Sequence, residues 1–550
     1  MLNKWYDFII SIVREDRKMA IKLKPRDKVV NWINSQVSGQ FLRDGDNLPS
    51  ERSLSEELGV SRTAVRGALD YLEERGDLVS TGQGKARRIS NVRVKVMAKK
   101  KVLARKLFGT DGIRGTANEY PIIPEIALKV GKAIAAEFRT AGHNNNVVIG
   151  KDTRLSGYML ETALTSGLVS MGMNVLLVGP VTTPAVAHLT RSMGAAVGIM
   201  LTASHNPYTD NGIKIFGSDG YKLSDEHEAR IEEMIINGVA LEGVNKFKIG
   251  KALRIEDARG RYIEFAKTAL NNISLKGLRI VLDCANGSGY FLAPLIFKEL
   301  GAEVIKLSVD PDGININHKC GATYPEKMAK AVVAHNADVG IALDGDADRV
   351  IFCDAKGNIV DGDKILAMCA IEMKNQGNLE NNTLVVTTMS NIGLHIAMKE
   401  HGIKTVTTDV GDRYVIESMR ENGYNLGGEQ SGHIVFGDFG TTGDGIVSAL
   451  KVLELMHESG ESVEELSKCM RQYPQTLVSL PVKEKRPIEE LTKLNKEIYK
   501  CHMELGDQGR TVVRYSGTES KIRLLVESAE QDLTDKWIDR LTKAVLEEIG

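Results

Sequence analysis

The chain has 550 residues, too many for a single hydrophobic core, so we expect several domains. Its hydrophobic fraction of 42% and charged fraction of 26% are ordinary for a soluble globular protein with a large core. Six scattered cysteines without a CxxC pair exclude a disulfide framework and a zinc site. The apolar run at residues 8–13 is too short to span a bilayer, so we predict a cytoplasmic protein without membrane contact.

The charge is unevenly distributed along the chain. The net charge at pH 7 is −1, yet residues 1–105 hold 22 Lys and Arg against 13 Asp and Glu, a net +9. The other 49 basic and 59 acidic residues give residues 106–550 a net −10. Two parts of opposite sign indicate two tasks, and the basic part is a candidate for nucleic-acid binding.

Residues 25–90 predict three helices followed by a β-hairpin. Apolar residues at helical spacing form a first amphipathic helix that ends near Gly39. Ser50 and Ser61 are placed to cap a second and a third helix. Residues 78–89 then predict two short strands joined by a glycine turn with a basic tip. Two short helices joined by a Gly-containing turn are a helix-turn-helix pattern, and the hairpin is typical of a wing.

This basic part resembles the winged-helix DNA-binding domain of GntR-type regulators, especially in residues 48–52 and 59–66. We divide it into an N-terminal extension (1–24), a winged helix (25–90) and a basic linker (91–106). The resemblance implies that DNA is contacted by Arg52, Arg62, Thr63, Arg66 and the wing residue Gly84. The alternative is a helical appendage whose arginines form a solvated face.

The acidic part begins with a glycine-rich turn and an alternation of strands and helices. Glycines at residues 107–115 let the backbone approach a phosphate, and Arg114 can grip one with its planar guanidinium. The alternative for this motif alone is a plain turn before a helix. The strand-helix-strand alternation that follows predicts mixed or parallel sheets with helices on both faces.

An apolar strand at Val197–Leu201 ends in small and polar residues and a proline, which cannot continue a strand. Ser204 is therefore expected on an exposed loop, beside His205 and Lys214. A serine nucleophile needs a base or a positive field, and these two neighbours can supply either. For Ser204 and His205 alone, a strand end with satisfied turn hydrogen bonds is the simpler interpretation.

A second apolar strand ends at Asp344, Asp346 and Asp348, which alternate with small residues on a tight loop. Converging carboxylates suit Mg²⁺, which prefers a few carboxylates and a phosphate oxygen. An EF-hand counted from Asp344 would place Ala355 where the bidentate glutamate belongs, so we favour a magnesium site of another kind. Mutual repulsion makes a purely structural role for the three carboxylates costly without a cation.

Two later loops are polar and rich in glycine. Residues 427–433 contain Glu429 and Ser431, which can bond sugar hydroxyls or an amine, and His433, which can transfer protons or hold phosphate. Residues 512–520 form a candidate anion nest, with the members Arg514, Ser516, Gly517 and Thr518.

Residues from about 106 to 550 resemble the α-D-phosphohexomutase family. The resemblance rests on motifs in the family's order: residues 107–115, 202–214, 344–349, 427–433 and 512–520. It implies an α/β fold of three mixed-sheet domains and a smaller α+β domain, preceded here by the winged helix-turn-helix. The corresponding domain boundaries are 107–255, 256–362, 363–471 and 472–550.

The resemblance also implies roles for these residues. Ser204 would carry a phosphoryl group and hold Mg²⁺ together with the three aspartates. The catalytic residues would be Ser204, His205, Lys214, Arg114, Arg349 and His433. His205, Lys214 and His433 are candidate acid/base groups that the sequence does not rank. The substrate-binding residues would be Glu429, Ser431, Arg514, Ser516, Gly517 and Thr518.

By the same resemblance, residues 427–433 form the sugar-specificity loop, called the sugar loop. Its Glu-Gln-Ser sequence at residues 429–431 favours the branch of the family that isomerises an amino-sugar phosphate. We therefore expect glucosamine 6-phosphate and glucosamine 1-phosphate as substrates, with glucosamine 1,6-bisphosphate or glucose 1,6-bisphosphate as phosphorylating activator. The alternatives are a phosphomannomutase or phosphoglucomutase of the same family and a sugar-phosphate-responsive transcriptional regulator. The resemblance leaves a homodimer open.

Overall fold

The computed structural model shows two compact units, Met1–Ala104 and Arg105–Gly550. The residues that it describes are 29, 33, 48, 50–58, 60–74, 78–80, 87–89, 107–109, 111–139, 144–238, 248–271, 273–516 and 520–550. The expected N-terminal extension (1–24), Gly84 of the expected wing and the whole expected linker (91–106) lie outside this set. Within this part of the chain, no helix is long and apolar enough to cross a membrane.

The N-terminal unit consists of short helices and a two-stranded hairpin. Among the described residues of this unit, the elements with defined bounds are α1 (Glu51–Leu58), α2 (Arg62–Glu74), β1 (Leu78–Ser80) and β2 (Arg87–Ile89), and Val29 and Ile33 are also helical. The hydroxyl oxygens of Ser50 and Ser61 accept hydrogen bonds from the N–H groups of Ser53 and Ala64, each at 3.2 Å, and so cap the two helices as expected. The two strands pair antiparallel. The core is formed by Val29, Ile33, Leu48, Leu54, Val65, Ala68, Leu69, Leu72 and Leu78.

The larger unit begins with a seven-stranded sheet whose strand order is β3-β4-β8-β7-β5-β6-β9. The elements are β3 (Phe108–Gly109), β4 (Gly112–Thr116), α3 (Pro124–Phe138), β5 (Asn146–Lys151), α4 (Ser156–Ser170), β6 (Asn174–Pro180), α5 (Thr183–Ser192), β7 (Val197–Leu201), β8 (Asp210–Gly217), α6 (Asp225–Asn237), β9 (Ala252–Arg254) and α7 (Ala258–Lys267). Strands β7, β5, β6 and β9 run parallel, whereas β8 pairs antiparallel with β7 on one side and with β4 on the other.

Both faces of this first sheet are covered, which explains the continuous apolar run of β7. Val147 and Ile149 of β5 point to the core beneath α3, α4 and α6, whereas Val148 points to the core on the α5 side. All five residues of β7 are buried. The strand ends at Leu201, and the loop of residues 202–209 that follows it carries Ser204 and is called the serine loop.

The second and third sheets repeat this plan with fewer strands. The second has the order β11-β10-β12-β13-β14 and the third the order β16-β15-β17-β18, and in each an antiparallel strand follows the parallel ones. Their elements are β10 (Arg279–Asp283), α8 (Leu292–Glu299), β11 (Glu303–Leu307), α9 (Glu326–His335), β12 (Val339–Leu343), β13 (Val350–Asp354), β14 (Ile359–Val360), α10 (Gly362–Asn375), β15 (Thr383–Thr387), α11 (Ile392–Glu400), β16 (Lys404–Thr408), α12 (Asp412–Asn422), β17 (Leu426–Gly428), β18 (Ile434–Phe436), α13 (Gly445–Ser459) and α14 (Val463–Leu466).

The last sheet is antiparallel and has its own hydrophobic core. Its order is β19-β21-β20, with two helices packed against it around the buried Trp537. The elements are β19 (Gln475–Pro481), α15 (Thr492–Leu505), β20 (Gly509–Tyr515), β21 (Lys521–Ser528) and α16 (Gln531–Ile549). By contrast, one continuous core joins the second face of the first sheet to the second and third sheets.

Candidate active site

Ser204 follows β7 and lies against loops of the second sheet. Its Oγ donates a hydrogen bond to Asp344 Oδ2 at 2.7 Å, and its N–H donates to Thr202 Oγ1 at 2.9 Å. Its φ of 52° lies in the left-handed region, which is uncommon for a residue with a Cβ and recurs at functional sites. The expected exposed loop is wrong in this respect: Ser204 is 1% exposed, because Asp344 and Asn317 contact it.

The serine loop is held by the fully buried guanidinium of Arg154, which follows β5. Its Nη2 donates to the carbonyl oxygens of Ser204 and Asn206, both at 2.9 Å, and its Nη1 donates to those of Pro207 and Asp210. Its Nε donates to a carboxylate oxygen of Asp152, the residue two positions earlier, at 2.8 Å. One cation therefore satisfies four backbone carbonyl groups that the turn takes out of the sheet.

The three aspartates lie on the loop between β12 and β13, and their ligand oxygens are within 4.8 Å of one another. Asp346 Oδ2 accepts from Thr183 Oγ1 at 2.5 Å and from Lys214 Nζ at 2.9 Å. Asp348 Oδ2 accepts from the same Nζ at 3.1 Å. Burial, and then Asp348 and Asp346, raise the pKa of Asp344 well above its usual value.

The donor set fits a magnesium ion. Asp346 Oδ1 and Asp348 Oδ1 are buried without a hydrogen-bond partner among the described residues, which is costly for carboxylate oxygens unless a cation binds there. Hard carboxylate oxygens with a serine oxygen beside them are ligands that Mg²⁺ prefers. The EF-hand alternative is excluded, because residues Val350–Asp354 of the would-be loop form a strand.

Three cations surround this cluster. Burial alone would lower the pKa of Lys214, but Asp111, Asp346 and Asp348 raise it well above its usual value, so the amine stays charged. Arg114 pairs with Asp111, and its Nη1 donates to the carbonyl oxygen of the residue before Ser204 at 3.3 Å. Arg349 Nε lies 3.9 Å from Asp348 Oδ1.

His205 is a neutral imidazole beside the serine. Its Nδ1 lies 3.3 Å from Ser204 Oγ. Burial, followed by the charges of Arg349 and Arg114, lowers the pKa of His205 to about 4. The uncharged ring can therefore share a hydrogen bond with the serine oxygen at neutral pH.

The sugar loop (residues 427–433) adjoins the loop of the three aspartates (residues 344–349), which is called the metal loop. Arg349 and His433 form an isolated antiparallel bridge, and the N–H of Val350 donates to the carbonyl oxygen of Gly432 at 3.0 Å. The His433 ring is 2% exposed and has no hydrogen bond among the described residues, although its Nε2 lies 3.4 Å from an oxygen of Asp412.

Glu429 is positioned by the turn that precedes α12. Its Oε1 accepts from the N–H of Gly411 at 3.1 Å, and its Oε2 accepts from Ser431 Oγ at 3.2 Å. The two sugar-loop side chains predicted to bind substrate are thus joined to each other.

Arg514 lies on β20 of the C-terminal sheet and Ser516 directly follows this strand, both outside the cluster around Ser204. Gly517 and Thr518 lie outside the described residues. Arg514 stands opposite Arg523 in the pairing of β20 with β21. Burial, and then the charge of Arg523, lower the pKa of Arg514. Two guanidinium groups in register favour an anion at this end of the sheet.

Four of the expected DNA-contacting residues of the N-terminal unit lie on α1 and α2. Arg62 and Thr63 are exposed at the start of α2, and Arg52 is exposed on α1. Arg66 is also exposed, and its Nη2 pairs with Glu51 Oε2 at 2.8 Å.

Several residues that shape the site were not singled out from the sequence: Arg154, Thr183, Lys222 and Asp412. A charged pair directly after the buried strand β5 is a local signal that could have found Arg154. The other three act through distant partners: Thr183 lies 163 positions from Asp346, and Lys222 lies 190 positions from Asp412 and 111 from Asp111. Local spacing carries no information about such pairs.

The four sheets of residues 105–550 lie for the most part in segments that match family models, although β9 and β14 fall between the matched segments. The models describe phosphoglucomutase/phosphomannomutase alpha/beta/alpha domain I at residues 105–241, domain II at 260–357, domain III at 361–473 and the C-terminal domain at 477–544. Four such domains around a serine and three aspartates define a phosphohexomutase, and the predicted fold class is confirmed. The chain belongs to the phosphoglucomutase/phosphomannomutase family and is an enzyme of the isomerase class.

Particular relatives are more specific. The chain is 52% identical over 449 residues to a phosphoglucosamine mutase of Myxococcus xanthus, which covers 80% of this chain and 98% of the relative. It is 51% identical to a phosphoglucosamine mutase of Citrifermentans bemidjiense, over 81% of this chain and 99% of the relative.

A solved structure and a further family model complete the comparison. A phosphoglucomutase/phosphomannomutase family protein from Burkholderia thailandensis has a TM-score of 0.68 at 24% identity, over 80% of this chain and 97% of that one, and so shows the fold. Residues 25–89 separately match the model of bacterial regulatory proteins of the gntR family. The GntR-type resemblance of this segment is thus confirmed at the level of family.

Proposed function

We propose that the chain interconverts glucosamine 6-phosphate and glucosamine 1-phosphate through a phosphoserine enzyme. The relatives at about half identity carry the name phosphoglucosamine mutase and align over nearly their whole length. The observation that carries the proposal is the hydrogen bond of 2.7 Å from Ser204 Oγ to Asp344, within a cluster of three buried carboxylates.

The side chains divide the work of phosphoryl transfer. When the enzyme is phosphorylated, Ser204 Oγ forms a bond to phosphorus as the bond between phosphorus and a sugar oxygen breaks. In the opposite step Ser204 Oγ is the leaving group, and the oxygen of a sugar hydroxyl takes its place on phosphorus. Lys214, Arg114 and Arg349 keep their charges and stabilise the negative oxygens of the transferring group. A magnesium ion held by Asp344, Asp346, Asp348 and a Ser204 oxygen would supply further positive charge there.

The protonation states favour one of the acid/base candidates. Lys214 is held in its charged form, so it is a poor base. His205 is neutral, and its Nδ1 lies 3.3 Å from Ser204 Oγ. We therefore assign to His205 a hydrogen bond to the serine oxygen that is kept during phosphoryl transfer. His433, buried beside Arg349, would serve the sugar hydroxyl.

The first transfer yields glucosamine 1,6-bisphosphate. This intermediate must reverse its orientation in the site before its other phosphate is transferred to Ser204. Glu429 and Ser431 would hold the sugar in both orientations, and the loop of Arg514 and Ser516 would bind the phosphate that is not transferred. Priming would require glucosamine 1,6-bisphosphate or glucose 1,6-bisphosphate. A cytoplasmic location, a homodimer and the domain boundaries at 255, 362 and 471 stay predictions.

Turnover of three substrates tests this proposal. The full chain with Mg²⁺ and a trace of bisphosphate should isomerise glucosamine phosphates in preference to mannose and glucose phosphates. Intact-mass analysis should reveal one added phosphate, which S204A should lack together with activity. Chelation should abolish turnover and added Mg²⁺ should restore it. Full turnover by S204A would refute the proposal, and a clear preference for a neutral sugar would favour a phosphomannomutase or phosphoglucomutase.

We also propose that residues 25–90 bind DNA. The gntR family match and the exposed Arg62 and Thr63 at the start of α2 support this assignment. The full chain should bind duplex DNA with an affinity that falls as salt rises, and the double variant R62A/T63A should bind more weakly without loss of mutase activity. A DNA complex that responds to glucosamine phosphates would favour the sugar-responsive regulator, whereas no salt-dependent binding would reduce the segment to an appendage.

A further inference from the structure

Lys222 lies between two acidic residues from different sheets. It follows β8 of the first sheet, and its side chain is 8% exposed. Its Nζ donates to Asp111 Oδ1 of the glycine-rich turn and to Asp412 Oδ2 at the start of α12. One ammonium group therefore joins the serine-bearing sheet to the sugar-loop sheet.

Asp111 connects this lysine to the metal loop. Its other oxygen, Oδ2, lies 3.2 Å from Lys214 Nζ, and Lys214 in turn pairs with Asp346 and Asp348. Acids and bases alternate along this path, so every buried charge has an opposite neighbour. Such a network keeps each side chain in one place, because moving one member leaves another charge unpaired.

Asp412 connects the same lysine to the sugar loop. The oxygen that accepts from Lys222 also lies 3.4 Å from His433 Nε2. The preceding residue, Gly411, donates its N–H to Glu429 at 3.1 Å. The turn at residues 411–412 therefore contacts both ends of the sugar loop, and Lys222 holds this turn from the other side.

Removal of the ammonium group would leave Asp111 and Asp412 facing each other. Burial alone would lower the pKa of Lys222, but Asp111 and Asp412 raise it, so the group is charged in the folded chain. Burial alone would raise the pKa of Asp412. The charge of Lys222 and, to a smaller extent, that of His433 hold this pKa below its usual value. Without Lys222, these two acids would repel each other or take up a proton.

We propose that Lys222 is a positioning residue for the reaction, which fixes the sugar loop relative to Ser204 through Asp412. This inference rests on the proposed phosphosugar mutase function. Misplacement of a bound group by about 1 Å can cost on the order of 100-fold in rate, so the loss of one bridge can be felt in turnover.

The test compares K222M with the parent chain and with K222R. We expect K222M to lower kcat/KM by about 10- to 100-fold on the hexose phosphate that the parent prefers, mostly in kcat. Phosphoserine content by intact mass should not change, because Ser204 keeps its partners. K222R should recover most of the loss, since it retains the charge between the two acids.

R420M is the matched control. Arg420 of α12 pairs with Asp219 at 3.0 Å across the same two sheets, but both side chains are about half exposed. We expect its kcat/KM to stay within about twofold of the parent, as for an ordinary surface pair. An equal loss in R420M, or K222M turnover within twofold of the parent, would overturn the proposal.

Two further measurements do not depend on K222M activity. Amide hydrogen exchange at residues 429–433 should become faster in K222M, and unchanged exchange there would contradict the inference even if the parent turned over no hexose phosphate. D412N should also lower turnover, and K222M/D412N should lose less than the two single variants predict, because it lacks the facing pair of acids. Strict additivity would refute the coupling, whereas a parent inactive on every hexose phosphate would contradict only the proposed function.

Discussion

The loops that carry Ser204 and Asp344 are built alike and held differently. Each follows a fully buried strand and precedes an antiparallel strand. Each also contains a non-glycine residue with positive φ, Ser204 at 52° and Ala347 at 58°. Repetition of one design in successive sheets brings a nucleophile and its acids to the same edge.

The difference lies in what fixes each loop. Arg154 holds the serine loop by its side chain through backbone carbonyl oxygens alone. In the metal loop, backbone hydrogen bonds are supplemented by Thr183, Lys214 and Ser204, whose side chains donate to carboxylates. A loop fixed by its backbone keeps its shape as its side chain gains and loses phosphate. A loop fixed by carboxylates retains unpaired oxygens that can bind a cation.

The largest expected effect comes from R154M. The substitution would leave Asp152 as a buried charge without its partner, together with carbonyl oxygens of the serine loop. We expect a loss of about 3–5 kcal/mol in the free energy of unfolding, measured by urea denaturation, and a loss of activity. R154K retains a charge but cannot reach several carbonyl groups at once, so its free energy of unfolding should lie between those of the parent and R154M. A small change in R154M would mean that the loop is held elsewhere.

A smaller effect is expected from T183V at the metal loop. The variant removes the hydroxyl that donates to Asp346 at 2.5 Å and should cost about 1–3 kcal/mol in the free energy of unfolding. It should also weaken Mg²⁺ binding by about 10- to 100-fold, measured by titration calorimetry. T183S keeps the hydroxyl and should behave like the parent. Equal Mg²⁺ affinity in T183V would show that Asp346 needs no such support.

Asp363, at the start of α10, is a buried acid outside the serine loop and the metal loop, and it can be compared with the aspartates of the metal loop. Burial, and then Asp361, raise the pKa of Asp363 to about 8, while the N–H of Asn391 donates to it at 2.7 Å. A pKa above the unfolded value means that its contribution to stability is complete below about pH 4 and is lost as the pH rises through about 8.

D363N should therefore be compared with the parent at pH 5 and pH 8. The parent should lose about 2–4 kcal/mol of unfolding free energy over this interval relative to D363N, measured by urea denaturation at each pH. The same slope in both chains would show that Asp363 is ionised throughout.

The smallest effect is expected from K356M, in the turn beyond the far end of β13. Lys356 pairs with Glu464 at 2.6 Å but is 67% exposed. We expect a change within about 0.5 kcal/mol in the free energy of unfolding and unchanged turnover. A larger loss would mean that both ends of this hairpin matter to the metal loop.

Much of the fold and part of the site could be predicted from local patterns. The strand at Val197–Leu201 and the aspartate loop followed from apolar runs that end in polar residues. The burial of Ser204 could not be predicted, because the residues that cover it come from another sheet. Lys222 and Asp412 were missed for the same reason, since their pairing spans 190 positions.

The separate core around Trp537 gives the larger unit an optical probe of its last sheet. The chain contains three tryptophans, Trp5, Trp32 and Trp537, of which only the third belongs to residues 105–550. Its indole is 1% exposed, with the guanidinium of Arg540 4.2 Å from the ring. After replacement of Trp5 and Trp32 by Phe, emission from the chain would report on the environment of this one sheet as phosphosugar is added.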